Sequence, residues 1–243
     1  MSMFCYQCEQ TARGTGCAMA RGVCGKEADT AVAQDVLVQV CKGIAQYGVK
    51  ARKQGIRNHE ADVFLLEALF STVTNVNFNT AEIVSLIRRG ALIREAMRQA
   101  CEKGACCCSG AAALSGPAVW EIPGTAEEIV AAGESLSQAK AIEAVGADVA
   151  GLRALILFGL KGMAAYADHA LVLGVEDDDV YAFFHESLDF LASDPTDVNA
   201  LVGMALRVGE VNLKVMGMLD QANTGAYGHP EPTSVRVTPV AGK

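Results

Sequence analysis

Residues 36–55, VLVQVCKGIAQYGVKARKQG, carry apolar side chains at three- and four-residue spacing and close on a glycine. Val36, Leu37, Val40, Ile44, Tyr47 and Ala51 fall on one face of a helix over 30–53 that Gly55 ends. The same register returns 119 residues later. Lys42-Gly43-Ile44-Ala45-Gln46-Tyr47 matches Lys161-Gly162-Met163-Ala164-Ala165-Tyr166, and beyond it Gly55 meets Gly174, Phe64 meets Phe183, Glu67 meets Glu186 and Leu69 meets Leu188. The offset predicts an all-α chain with two three-helix bundles related by internal duplication, each burying its own apolar stripes.

Outward from that stretch, Val63, Leu66, Leu69, Phe70 and Val73 mark a second helix, and a third spans 80–102 with Thr80 as its cap. Residues 101–125 hold Gly104, Gly110, Gly116, Pro117, Pro123 and Gly124 and read as a linker, with Trp120 anchoring it against a bundle. Helical spacing resumes over 129–144, 148–172, 176–191 and 195–219, the last with Asp194 as cap and Pro195 at the first helical position. Strand-like alternation is confined to 234–240. The expected organisation is a cysteine-rich loop over 1–26, a first bundle over 27–103, a linker over 104–125 and a second bundle over 126–222. A last segment spans 223–243.

An apolar content of 51% in 243 residues suffices for a buried core. Lys and Arg total 20 against 28 Asp and Glu, and the net charge of −8 argues against nucleic acid or an anionic membrane as partner. No charged n-region precedes an apolar run, and Lys161 and Asp168 divide the most apolar segment, so neither a signal peptide nor a membrane span is expected. The expected location is the cytoplasm.

Four of the nine cysteines fall at the start, as Cys5-x2-Cys8-x8-Cys17-x6-Cys24 in CYQCEQTARGTGCAMARGVC. In a reducing compartment that spacing favours metal over disulfides. Gly14, Gly16, Gly22 and Gly25 permit the turns that bring four thiols to one point, and Arg13, Arg21 and Lys26 add positive potential. Four thiolates also satisfy tetrahedral zinc, and spacing alone leaves both metals open. A zinc ribbon presents two Cys-x2-Cys knuckles, whereas here one knuckle and a glycine-rich loop run into helices, which favours iron–sulfur. Consecutive Cys106, Cys107 and Cys108 cannot easily aim three thiols at one metal and read as packing or incidental thiols; Cys41 reads as core. His59, His169 and His185 lack ligand spacing, and the acidic run 176–179 suits a helix start better than calcium.

The stretch MFCYQCEQTARGTGCAMARGVCGK at 3–26 resembles the amino-terminal motif of hybrid cluster (prismane) proteins, the hydroxylamine reductase family, and LDQANTGAYGHPEPT at 219–233 is similar to a second family motif. The resemblance covers the whole chain. It implies that Cys5, Cys8, Cys17 and Cys24 hold an electron-transfer cluster, a cubane [4Fe–4S] for the short x8 gap, with [2Fe–2S] as the alternative. It also implies a longer parent protein with two α/β domains. There a hybrid iron–sulfur–oxygen cluster reduces hydroxylamine to ammonia and, in related proposals, nitric oxide to nitrous oxide. The ligands of that cluster are a histidine, glutamates and cysteines beyond Lys243; His229 is not among them, so no catalytic residue is expected in this chain. The implied partners are a redox donor protein and those α/β domains, with a homodimer through exposed apolar area as a further one. Two other functions compete, a stand-alone iron–sulfur module that senses redox state and a zinc-stabilised helical binding domain.

Overall fold

The computed structural model describes residues 3–8, 15–73, 76–104, 113–235 and 237. Among the described residues the regular elements are helical, apart from one isolated β-bridge between Cys5 and Cys17. Eight α-helices follow in chain order: α1 Ala28–Lys53, α2 His59–Ser71, α3 Thr80–Gly104, α4 Ala126–Gly133, α5 Gln138–Val145, α6 Ala147–Val172, α7 Asp178–Ala192 and α8 Val198–Tyr227. The all-α expectation holds. Helix α3 ends just past its expected limit and α8 runs well past it. Where one helix was expected over 129–144, a 3-10 turn at Glu134–Leu136 separates α4 from α5. Residues 234, 235 and 237 form no strand, and the rest of the alternating tail, like Cys106, Cys107 and Cys108, lies outside the described residues.

Helices α1 and α6 are both 26 residues long and begin and end at positions 119 apart. Their last turns close identically. Gly55 and Gly174 take positive φ of 75° and 79°, and their N–H groups bond to the carbonyls of Arg52 and Leu171. Ile56 and Val175 reach back to Ala51 and Ala170, which completes a Schellman closure in each case. The equivalence does not extend to surroundings, since Tyr47 is 6% exposed and Tyr166 is 41% exposed.

Packing crosses between the two triplets. Helix α1 lies against α3, and α6 against α8, but α7 packs on α1 and α2 packs on α6. The expectation that each bundle buries its own stripes is therefore not met. One apolar core includes Ile44, Phe64 and Ile87 from the first triplet together with Met163, Phe184 and Leu201 from the second. Periodicity fixes which face of a helix is apolar but not which neighbour covers it.

Two caps also differ from expectation. Asn79, not Thr80, accepts the N–H of Ala81, because the Thr80 hydroxyl is engaged with that of Thr30 at 2.7 Å. Asp197, not Asp194, caps α8 by accepting from the N–H of Asn199, so Pro195 lies ahead of the helix. Asp194 instead sits at a φ of 50° and receives Arg153 at 3.3 Å. The acidic run behaves as expected: Asp177 caps α7, and Asp178 pairs with Arg52 and Arg57, each at 2.7 Å.

The linker is anchored rather than loose over its described part. Pro117 accepts from Arg94 at 2.8 Å, the N–H of Ala118 donates to Gln46 at 2.8 Å, and Trp120 packs against the core. Cys41 is fully buried, as expected, and burial pushes its thiol up to about 12. By length and composition alone α6 could cross a membrane, since its most apolar 18 residues have a mean hydropathy of 1.4, but the core helix of a folded bundle meets the same criterion, and 39% of that stretch is buried here.

Candidate metal centre

The amino-terminal segment folds back on itself through Cys5 and Cys17. Each donates its backbone N–H to the other's carbonyl, at 3.0 and 2.9 Å, which brings their Cα atoms to about 5.5 Å as in any such antiparallel pair. Gly16 and Gly25 take positive φ at the turns that flank this crossing. Met3, Cys5, Cys17 and Ala31 form a small apolar cluster that seats the segment on the start of α1. Cys8 and Cys24 are half-buried beside it, and all four thiols are free of disulfides. Among the described residues no three Cys, His, Asp or Glu side chains converge in metal-binding geometry. The structure thus unites Cys5 with Cys17 but does not gather the full set.

Two buried cations face this segment. Lys26 is 2% exposed and donates to Gln34, whose amide in turn donates to the carbonyls of Ser71 and Asn77 at 3.4 and 3.3 Å. Lys161, from the middle of α6, is 3% exposed and donates to both the main-chain and the side-chain oxygen of Gln7. The Gln7 amide nitrogen continues to Asp35 on α1. Burial raises the Cys5 thiol above its ordinary range while the charge of Lys26 acts to lower it. Burial likewise brings Lys161 down to about 8 and raises Asp35 to about 7. Tyr6 stacks on Phe158 of α6 with ring centroids 5.7 Å apart. A cavity of about 600 Å³ opens beside the knuckle, bordered by Tyr6, Gln7, Asp35, Lys42 and Arg153.

This donor set suits an anionic sulfur-ligated group. Four thiolates carry net negative charge, and two buried ammonium groups stand where that charge would otherwise be uncompensated. Of the basic residues singled out from sequence, Lys26 is in place. Arg21 instead pairs with exposed Glu27 at 3.0 Å, and Arg13 lies outside the described residues. Sequence reasoning missed Lys161, Gln7 and Asp35. The available signal was a lysine in the centre of the most apolar helix, where an unpaired charge is costly.

The family model described as Prismane/CO dehydrogenase family matches residues 3–243. The chain belongs to this family. Membership implies iron–sulfur clusters, in keeping with the cysteines present. Among its relatives, the chain is 50% identical over 245 residues to the hydroxylamine reductase of Burkholderia lata. It is 47% identical over 243 residues to that of Rhodospirillum rubrum and 42% identical over 254 residues to that of Escherichia coli O1:K1 / APEC. These alignments take in 99%, 99% and 100% of this chain but 44% of each relative. The chain therefore spans less than half the length of the relatives it matches.

Proposed function

We propose that Cys5, Cys8, Cys17 and Cys24 hold a [4Fe–4S] cluster, and that the chain is the amino-terminal electron-transfer part of a hydroxylamine reductase. The catalytic hybrid cluster, where hydroxylamine is reduced to ammonia, would be held by residues beyond Lys243, and a redox protein would donate the electrons. The observation that carries this reading is the family match over residues 3–243 together with four free thiols beside two buried lysines.

A bound cluster supplies reversible one-electron transfer. The chain's own residues do the rest. Cys5, Cys8, Cys17 and Cys24 would hold such a cluster with thiolates alone, which would leave no open position for substrate. Lys26 and Lys161 offset the negative charge, and Gln7 fixes the backbone between Cys5 and Cys8 by accepting from Lys161. The apolar cluster under Cys5 and Cys17 excludes water from one side.

The test is iron and zinc analysis with visible absorption on anaerobically purified protein. About four irons per chain are expected. Cys17→Ser should lose the cluster while Cys107→Ser keeps it. The purified chain should exchange electrons with an artificial dye yet show no hydroxylamine turnover above free-iron controls. Stoichiometric zinc, or equal iron loss in the two variants, would refute the assignment. Robust turnover that Cys5→Ser abolishes would show that this cluster is itself catalytic.

A further inference from the structure

We infer that Lys161 is a positioning residue for the cluster, one that holds the Cys5–Cys8 knuckle through Gln7 and makes the cluster easier to reduce; this rests on the proposed function. The inward face of α6 is otherwise apolar, with Ile156, Leu160, Met163, Ala164 and Ala167 all buried. A leucine or methionine at 161 would pack there without the cost of desolvating an ammonium group, so the charge calls for a reason beyond packing. Its partners supply one. Lys161 donates to the Gln7 carbonyl at 3.2 Å and to the Gln7 side-chain oxygen, while the amide nitrogen of Gln7 donates to Asp35. That pairing fixes which way the Gln7 amide points. Gln7 lies between Cys5 and Cys8, so α6 grips the cysteine knuckle directly although 154 residues separate the two in sequence.

The charge also lies within electrostatic reach of both Cys5 and Cys8. Reduction adds one electron from an external low-potential dye, forms and breaks no bond, and increases the cluster's negative charge. A buried ammonium group beside the ligands favours that more negative state, because the low local dielectric leaves the attraction poorly screened. Asp35, across Gln7 from Lys161, opposes it. Electron affinity should therefore depend on two residues that are not ligands, and in opposite senses.

The experiment compares wild type with Lys161→Met, Lys161→Arg and Asp35→Asn, each measured for iron content and cluster absorption and then for reduction potential by dye-mediated titration. Lys161→Met with full iron should shift the reduced-to-oxidised ratio at least tenfold toward oxidised, a fall of about 59 mV for one electron. Lys161→Arg should recover most of that shift. Asp35→Asn should move the potential upward, and it decides the matter if Lys161→Met fails to hold a cluster. Full iron with an unchanged potential in Lys161→Met, or no upward shift in Asp35→Asn, would overturn the inference and leave the cluster assignment standing. A wild-type chain without iron would overturn both.

Discussion

Replacing Asp62 with alanine should destabilise the protein by about 3 kcal/mol, the usual cost of stranding a buried charge by deleting its partner. Asp62 on α2 is 4% exposed and accepts from Arg52 of α1 at 2.9 Å and from His185 of α7 at 2.7 Å. The carboxylate thus joins three helices, two from one triplet and one from the other. Arg52, itself 14% exposed, would retain Asp178 at 2.7 Å, which keeps the loss toward the lower end of the range. His185 would keep nothing: it is 1% exposed, and its Nδ1 already has no hydrogen-bond partner among the described residues. In a chain of this size each kcal/mol moves Tm by about 2–4 °C, so the midpoint should fall by about 6–12 °C. Urea denaturation followed by circular dichroism gives the free energy, and Asp178→Ala is the control. Asp178 is 43% exposed at its side chain, and its removal should cost less than about 1 kcal/mol. The paired change of Asp62 and His185 to leucine should recover most of the loss, because no buried imidazole is then left without its partner. A cost for Asp62→Ala no greater than that of Asp178→Ala would refute the reasoning.

Three further outcomes follow from burial and capping. Cys41, held near 12 by burial, should resist alkylation in the native state and react only on unfolding, as peptide mapping by mass spectrometry would show; rapid native labelling would contradict its placement. Asp35 is raised to about 7 in the folded protein against 3.8 unfolded, so the native state binds the extra proton between those values and stability should fall as pH rises through that window. Asp35→Asn should remove a decline on the order of 4 kcal/mol, measured as the difference between the two pH profiles of cluster-free protein. Asp177→Ala removes the acceptor for the N–H groups of Asp179 and Val180 and should cost about 1 kcal/mol in a denaturant melt.

The helices were legible because apolar spacing is a local property. Residues 42–47 and 161–166 sit in α1 and α6 as expected, and the glycines that close both helices do so with equivalent bonds. Caps were less legible, because neighbouring polar residues compete for the same N–H groups. Asn79 displaced Thr80 once the Thr80 hydroxyl found Thr30, a residue fifty positions away. The choice of neighbour was not legible at all, since an apolar face carries no address. The same holds at the candidate metal centre: the four cysteines stand out by spacing, whereas the contact from Lys161 depends on α6 lying over Gln7. Arg52, Asp62 and His185 are separated by up to 133 residues in sequence and meet only because α2 and α7 have exchanged partners.

That exchange makes the chain resemble a domain-swapped dimer written into a single polypeptide. Each triplet lends its middle helix to the other and receives one in return. The connecting segment keeps each lent helix at high effective concentration near its groove, so docking is intramolecular and incurs little of the entropy of association. Severed there by a protease, the two pieces should remain a tight noncovalent pair, because neither has a complete core alone. At high concentration two intact chains could trade halves and lock into a dimer through contacts each already makes within itself.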